Sequence, residues 1–409
     1  MLKRINVEHL KLGMHLHELC GSWLSHPFWR TSFLLNDPKD LQGILESGIQ
    51  EVWIDVGKGF DVDPGQSNEE MEEPLDHEPT AVAGRIGELP RHTETSKETL
   101  HAARIFARSK KVVVSMFQEV RMGHAIKVAD ALPLVEEIYL SVMRNPGALI
   151  SLARLKTVDN YTYMHSLAVC ALMIALAQQL QLDERQACEA GLAGLLHDVG
   201  KMAIPLEVLN KPGKLTEAEF ALMRTHPERG YKMLLQAIGI SKVVRDVCLQ
   251  HHEKADASGY PQRLGADVTT LFAKMCAVCD VYDAITSDRP YKKAWNPAEA
   301  LREMAQRMHG HFEIALFQAF VKTVGIYPVG TLVRLQSGRL GVVVDQSRRS
   351  LLAPLVKVFF STKSQVRLAP EIVDLASPGC NDKIAAFENP DEWDFPDMEA
   401  LWLGVNERP

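Results

Sequence analysis

Seven histidines and aspartates are set into a stretch of this chain whose apolar residues otherwise repeat like those of a buried helical bundle: His165, His197, Asp198, His226, His251, His252 and Asp280. From about residue 98 to 325 the apolar spacing is almost wholly helical. Helices are expected over 99–122, 132–143, 158–180, 183–199, 241–253 and 269–286. Another is opened by a Thr216/Glu219 capping box and ended by His226-Pro227. In 158–180, His165 shares one face with Val169, Leu172, Met173 and Leu176. The helix over 183–199 begins with acidic residues, and Gly200 is expected as its C-cap. Asp280 falls among Ala277, Val278, Val281 and Ile285, where an ionised carboxylate is costly to bury alone. Coordination to a metal removes that cost. The seven groups lie on five segments, which a helix bundle can bring to one interior point. Histidine with carboxylate suits first-row divalent ions, and the set reads as a two-metal hydrolase site. A lone histidine on an apolar face is ordinarily a satisfied core residue. Seven such groups together are too many for that account. Cys276 and Cys279 have dithiol spacing but sit mid-helix without a second pair. His309 and His311 read as surface residues of a turn.

The rest of the chain frames that region. A length of 409 residues predicts two or three domains. Residues 1–62 read as a small α/β unit with a helix near 40–46 and a strand near 52–56, its core supplied by Phe28, Trp29 and Phe33. Residues 63–97 are acidic and proline-broken and read as a flexible linker. Past residue 326 the period changes. A β-hairpin turning at Ser337-Gly338 and a third strand near 355–360 make 326–409 a small β-rich appendage. The fold class is therefore multidomain: an all-α bundle core over 98–325, a small α/β N-terminal domain and a β-rich C-terminal appendage. A net charge of −7 argues against a partner that is a nucleic-acid polymer. It leaves room for a small anionic ligand beside a local basic cluster. The scattered cysteines read as reduced thiols. The N-terminus lacks a signal-peptide core, and the longest apolar run, 167–177, is too short for membrane insertion. A cytoplasmic protein is expected, of unknown oligomeric state.

The segments Tyr161-Thr-Tyr-Met-His165-Ser and His197-Asp-Val-Gly-Lys201 resemble the HD superfamily of metal phosphohydrolases. Three more narrow the resemblance to the HD-GYP family: Lys211-Pro-Gly-Lys-Leu-Thr216, His251-His-Glu through Gly259-Tyr260-Pro261, and Asp280-Val-Tyr-Asp through Asp288-Arg289-Pro-Tyr-Lys292-Lys293. The likeness covers about 130–325, the expected catalytic core. The first 60 residues are similar to the small domain that often precedes this family in proteobacterial proteins. Ala257 stands where the family usually has glycine, and Phe312-Glu313-Ile314 where it has Phe-Asp-Pro. Neither removes a ligand. Tyr161 stands where some relatives carry a glutamate for a third metal, so the resemblance is to the two-metal subgroup.

The resemblance implies a phosphodiesterase that opens cyclic-di-GMP to pGpG, with onward cleavage to GMP left open. It implies one metal on His165, His197, Asp198 and Asp280, and a second on His226, His251 and His252, bridged by Asp198. Iron or manganese is favoured for the pair. A water shared by two such metals is acidified towards neutral pH and attacks phosphorus in line with the leaving ribose 3′ oxygen. Lys201 would neutralise the phosphoryl oxygens and could protonate the leaving oxygen. Its plainer reading is a cation favoured at a helix C-terminus. Arg289 and Lys292 match positions that contact the dinucleotide; otherwise they are a solvated basic turn. Gly259-Tyr260-Pro261 is a structural loop beside the metals, or a docking surface for diguanylate cyclase (GGDEF) proteins. Two alternatives remain open: an HD phosphohydrolase acting on another nucleotide, and a non-catalytic cyclic-di-GMP receptor.

Overall fold

The structure, a computed structural model, describes residues 2–20, 33–46, 51–62, 67–71, 95–153, 161–287, 294–306, 310–347 and 349–403. The chain divides into two compact units, Met1–Leu89 with Gly239–Lys242, and Pro90–Ile238 with Val243–Pro409.

In the first unit, β1 (Leu2–Asn6), β2 (His15–Cys20), β3 (Phe33–Leu34), α1 (Pro38–Glu46), β4 (Glu51–Asp55) and β5 (Ser67–Met71) follow in order. The strands form one sheet, β3-β2-β4-β1-β5. Side chains on a strand alternate between faces, and Val52 and Ile54 of β4 are accordingly both fully buried, with Ile5, Leu16 and Ile44. The strand and helix expected here are present, within two residues at each end. Phe28 and Trp29 lie outside the described residues, as does the side chain of Phe33. The linker reading fails at β5. That segment is acidic, yet it runs antiparallel to β1 with Lys3 opposite Glu70 and Arg4 opposite Glu69. Opposite charges across an antiparallel pair are favourable, so an edge strand can form with few apolar residues.

The second unit is built on helices: α2 (Thr95–Arg121), α3 (Val128–Arg144), α4 (Pro146–Ala153), α5 (Tyr161–Gln179), α6 (Glu184–Leu196), α7 (Leu206–Leu209), α8 (Glu217–Met223), α9 (His226–Gln236), α10 (Lys242–Gln250), α11 (Leu271–Ile285), α12 (Pro297–Gln306) and α13 (Ile314–Val324). Every residue from Met164 to Ala177 of α5 is buried, as befits a helix apolar on all sides. α6 lies close against it. A Cβ on Gly194 would sit 3.0 Å from the Val169 carbonyl oxygen, tight enough that glycine favours the close approach. α2 is tied to α3 through the buried Glu98 carboxylate, which accepts bonds from Ser141 Oγ at 2.7 Å and Arg144 Nε at 2.8 Å.

Two expectations near the site need correction. Gly200 is not a C-cap. α6 ends at Leu196, and Gly200 sits in a 3-10 turn, Val199–Ala203. A Cβ there would lie 1.9 Å from the His226 carbonyl oxygen, so the glycine serves close packing. His226-Pro227 opens α9 rather than ending α8. Proline costs nothing in a first helical turn, whose N–H groups have no intrahelical acceptor. The Thr216/Glu219 capping box is present.

The same unit ends in a second antiparallel sheet, β10-β6-β7-β8-β9, from β6 (Leu332–Leu335), β7 (Arg339–Asp345), β8 (Leu355–Ser361), β9 (Val366–Asp374) and β10 (Ile384–Phe387). A last helix, α14 (Met398–Leu403), packs Leu401 and Trp402 on Phe359 and Phe360. The hairpin and third strand follow the sequence pattern. β9 does not, because it is largely exposed and contains Pro370. Both features suit the sheet edge it occupies. Among the described residues no helix is long and apolar enough to cross a membrane.

Candidate metal centre

Each of the four deeply buried histidines is oriented by its Nδ1. His197 Nδ1 donates to the Gly194 carbonyl at 2.8 Å, His226 Nδ1 to Met223 at 2.8 Å, and His251 Nδ1 to Cys248 at 3.0 Å. In all three the acceptor lies three residues back, at the close of a helical turn. His165, in the body of α5, donates instead to the Asp283 carboxylate at 2.6 Å. A carbonyl can only accept, so the Nδ1 of the three rings bonded to carbonyls carries the proton. The Nε2 lone pair is presented to the interior, the tautomer used by metal-ligating histidine.

Asp198 stands where these nitrogens meet. Its Oδ2 lies 3.3 Å from His197 Nε2 and 3.6 Å from His165 Nε2; its Oδ1 lies 3.2 Å from His226 Nε2 and 3.8 Å from His251 Nε2. One oxygen thus faces each histidine pair. Asp280 enters from α11, with Oδ1 at 3.0 Å from His165 Nε2 and Oδ2 at 3.9 Å from His252 Nδ1. Among the described residues three ligand groups have their donor atoms within 4.8 Å of one another: His165, His197 and Asp280; His226, His251 and His252; and, joining the two, His197, Asp198 and His251. The electrostatics match. Burial works against ionising Asp198 and Asp280. Lys201 and His197 for the first, and the His165 hydrogen bond for the second, outweigh it and hold both well below the usual carboxylate range. Burial, with neighbouring histidines, pushes His251 well down and His252 to about 3. Ionised carboxylates and neutral imidazoles are the states that bind a divalent cation.

The donor set fits such a cation on its own geometry. His226 Nε2 and His251 Nε2 lie 3.2 Å apart with both Nδ1 atoms already donating, which sets lone pair against lone pair. His197 Nε2 and Asp198 Oδ1 are buried without a hydrogen-bond partner among the described residues. Unpaired buried acceptors are costly, and a bound cation satisfies all of them.

Around this centre sit groups that hold it. Lys201 places Nζ 2.5 Å from Asp198 Oδ2 and is about a fifth exposed. Its turn is gripped by two arginines: Arg121 of α2 donates to the Ile204 carbonyl at 3.1 Å, and Arg229 of α9 to Ala203 at 2.9 Å. Glu253 is buried and accepts from the backbone N–H of Gln262 at 2.6 Å and Leu264 at 3.0 Å, fixing the Gly259-Tyr260-Pro261 segment. The structure brings together all seven residues singled out as ligands, with Lys201 beside them. Arg289 and Lys292 lie outside the described residues, as do the side chain of Tyr161 and His309. Sequence reasoning missed Asp283, Glu253, Arg121 and Arg229. Asp283 carried a readable signal, lying one turn beyond Asp280 in the same apolar helix. The arginines carried none, since they act on backbone carbonyls that no side-chain pattern marks.

Comparison with known proteins agrees. Residues 2–131 match the model of a domain of unknown function (DUF3391), and residues 142–316 that of an HD domain. The chain is 55% identical over 406 residues to the cyclic di-GMP phosphodiesterase PA4108 of Pseudomonas aeruginosa, covering 99% of this chain and 96% of that protein. It is 46% identical over 134 residues to the cyclic di-GMP phosphodiesterase response regulator RpfG of Xanthomonas campestris, covering 32% and 35% of the two chains. It is 37% identical over 148 residues to the 3′3′-cGAMP-specific phosphodiesterase 2 of Vibrio cholerae, covering 36% and 28%. With identity above half along almost its whole length, and with the His-Asp cluster and the Gly-Tyr-Pro segment in place, the chain belongs to the HD-GYP family of HD-domain phosphodiesterases.

Proposed function

We propose that this chain is a metal-dependent phosphodiesterase that opens cyclic-di-GMP to pGpG. The observation that carries the reading is Asp198, with one carboxylate oxygen turned to each of two histidine pairs whose Nε2 lone pairs converge on it. His165, His197 and Asp280 would hold one divalent ion, and His226, His251 and His252 the other, with Asp198 shared between them. Iron or manganese suits this mixed histidine and carboxylate set. Bound ions supply Lewis acidity and a nucleophile drawn from water at neutral pH. The chain's own residues do the remainder. Asp198 and Asp280 stay ionised, and His251 and His252 neutral. Lys201, held by Asp198 and partly open to solvent, offers its ammonium to a phosphoryl oxygen and then to the leaving ribose oxygen. Arg289 and Lys292 would meet the dinucleotide beyond the end of α11. The near full-length likeness to a protein named for cyclic-di-GMP supports that substrate. The likeness to one named for 3′3′-cGAMP makes that nucleotide the competing one.

The test is turnover by anaerobically prepared, metal-replete protein on cyclic-di-GMP, 3′3′-cGAMP and pGpG. The expected result is the highest kcat/KM on cyclic-di-GMP, pGpG as first product and two metal ions per chain. Replacing His197 and Asp198 together by alanine should abolish turnover and strip most metal while far-UV circular dichroism stays helical. A double variant working at the wild-type rate would remove the site assignment.

A further inference from the structure

The Gly259-Tyr260-Pro261 segment holds its tyrosine firmly. Tyr260 N–H donates to the His252 carbonyl at 3.2 Å, and Glu253 clamps the following backbone. The Tyr260 ring lies on the His252 ring with centroids 4.7 Å apart and planes 31° from parallel. Over the same tyrosine ring stands Arg224, its guanidinium carbon 4.5 Å from the centroid. Arg224 is the C-cap of α8 and lies two residues ahead of His226. It is exposed, and among the described residues its guanidinium makes no hydrogen bond or ion pair. An aromatic ring therefore parks a cation beside the histidines of the metal centre, with its N–H donors unspent.

We propose that Arg224 is a substrate-binding residue, a rim cation that grips the second phosphate of the cyclic dinucleotide, and that Tyr260 is the residue that positions it. The proposal rests on the cyclic-di-GMP reading given above. A cyclic dinucleotide carries two phosphodiesters, and only one can occupy the metal centre during cleavage. The other remains anionic and enters a protein of net charge −7, so it needs a local cation. Lys201 is engaged with Asp198. In addition to the Arg289 and Lys292 contacts proposed above, Arg224 is a cation that stands next to the centre with its guanidinium donors unspent among the described residues, and a planar guanidinium suits the two non-bridging oxygens of a phosphodiester. The Gly-Tyr-Pro segment then serves as a perch for a substrate contact.

The experiment compares wild type, Arg224→Ala, Arg224→Lys, Tyr260→Leu and the Arg224→Ala/Tyr260→Leu double variant. It measures KM and kcat for cyclic-di-GMP, metal content by mass spectrometry, and equilibrium dialysis of cyclic-di-GMP. Arg224→Ala should raise KM about ten-fold with a smaller change in kcat, weaken the dialysis affinity in parallel and retain wild-type metal. Arg224→Lys should fall between. Tyr260→Leu should raise KM to a similar degree, and the double variant no further, because the tyrosine acts through the arginine. The wild-type KM should also rise with added salt more steeply than that of Arg224→Ala. Wild-type turnover of cyclic-di-GMP with an Arg224→Ala KM within two-fold overturns the assignment of Arg224 alone, as does loss of metal in that variant. A wild-type protein that cleaves bis(p-nitrophenyl) phosphate but not cyclic-di-GMP overturns the substrate reading and this proposal with it.

Discussion

Which nitrogen of each imidazole carries the proton decides what the centre can bind. The carbonyls of Gly194, Met223 and Cys248 do this for three rings, and Asp283 does it for His165. The carboxylate is the strongest of these acceptors and also makes its imidazole a better donor to a cation. Asp283→Asn keeps the shape and removes the charge. It should lower metal affinity about 10–100-fold, the usual cost of losing such a partner, with little effect on the helical circular dichroism signal. Competition against a graded chelator measures it, and an unchanged affinity would show that Asp283 merely fills space. The clustered histidines and aspartates were legible in the sequence as candidates because carboxylates and imidazoles are costly to bury in apolar helices unless something binds them. Their supports were less legible. A carbonyl three residues back is present in every helix, and nothing in the letters says which one a ring will use.

At the level of elements, the centre depends on how closely the turn after α6 approaches the start of α9. Gly200 lies there with no room for a Cβ, the nearest obstacle being backbone of His226 itself. Gly200→Ala should therefore cost about 1–3 kcal/mol through overpacking. Each kcal/mol lowers the thermal midpoint by roughly 2–4 °C in a domain of this size. Because the displaced backbone belongs to His226, a proposed ligand, metal affinity should fall in the same variant. Differential scanning calorimetry and metal titration read the two effects, and a variant matching wild type in both would contradict the packing argument. Glycine at the end of a helical pattern reads as a cap from sequence, because the cap is a local device. The contact that explains Gly200 reaches far along the chain to His226 and is invisible to any local rule. For the same reason Pro227 reads as a helix end. Only the structure shows the chain already turning into α9.

Across the whole molecule, the long helices and the first hairpin of the C-terminal sheet were foreseen from apolar period. The acidic strand β5 and the exposed strand β9 were not, since both lie at sheet edges where little burial is needed to pair a backbone. The buried centre also sets a pH response. In metal-stripped protein, His251 and His252 are depressed from an ordinary value near 6.5, His252 to about 3. The folded state then binds fewer protons than the unfolded chain below pH 6.5. Their contribution to stability is complete above that pH and lost as pH falls towards about 3. Burial also acts on His197, but Asp198 outweighs it and raises that histidine; its contribution is fully present below about pH 6.5 and is lost only as pH rises through its raised value, so it leaves the acid limb unchanged. With two depressed histidines the slope on that limb is at most about 2.7 kcal/mol per pH unit. Urea midpoints of chelated protein at pH 7.5, 5.5 and 4.5 should fall in that order. Metal should raise the midpoint at neutral pH, and a flat profile without metal would show that the histidines open to water.

The Nδ1 bonds have one more consequence. Three of the rings are latched to the last turn of the helix that leads into them, so ring and helix end move as a single lever. Productive metal–ligand distances are held to within about 0.2 Å, far less than helices shift when a domain is pushed. The centre is then a gauge for the packing of its five segments. Any strain that parts α6 from α9, or loosens the grip of Arg121 on the turn between them, is registered as a weaker hold on the ions before anything unfolds.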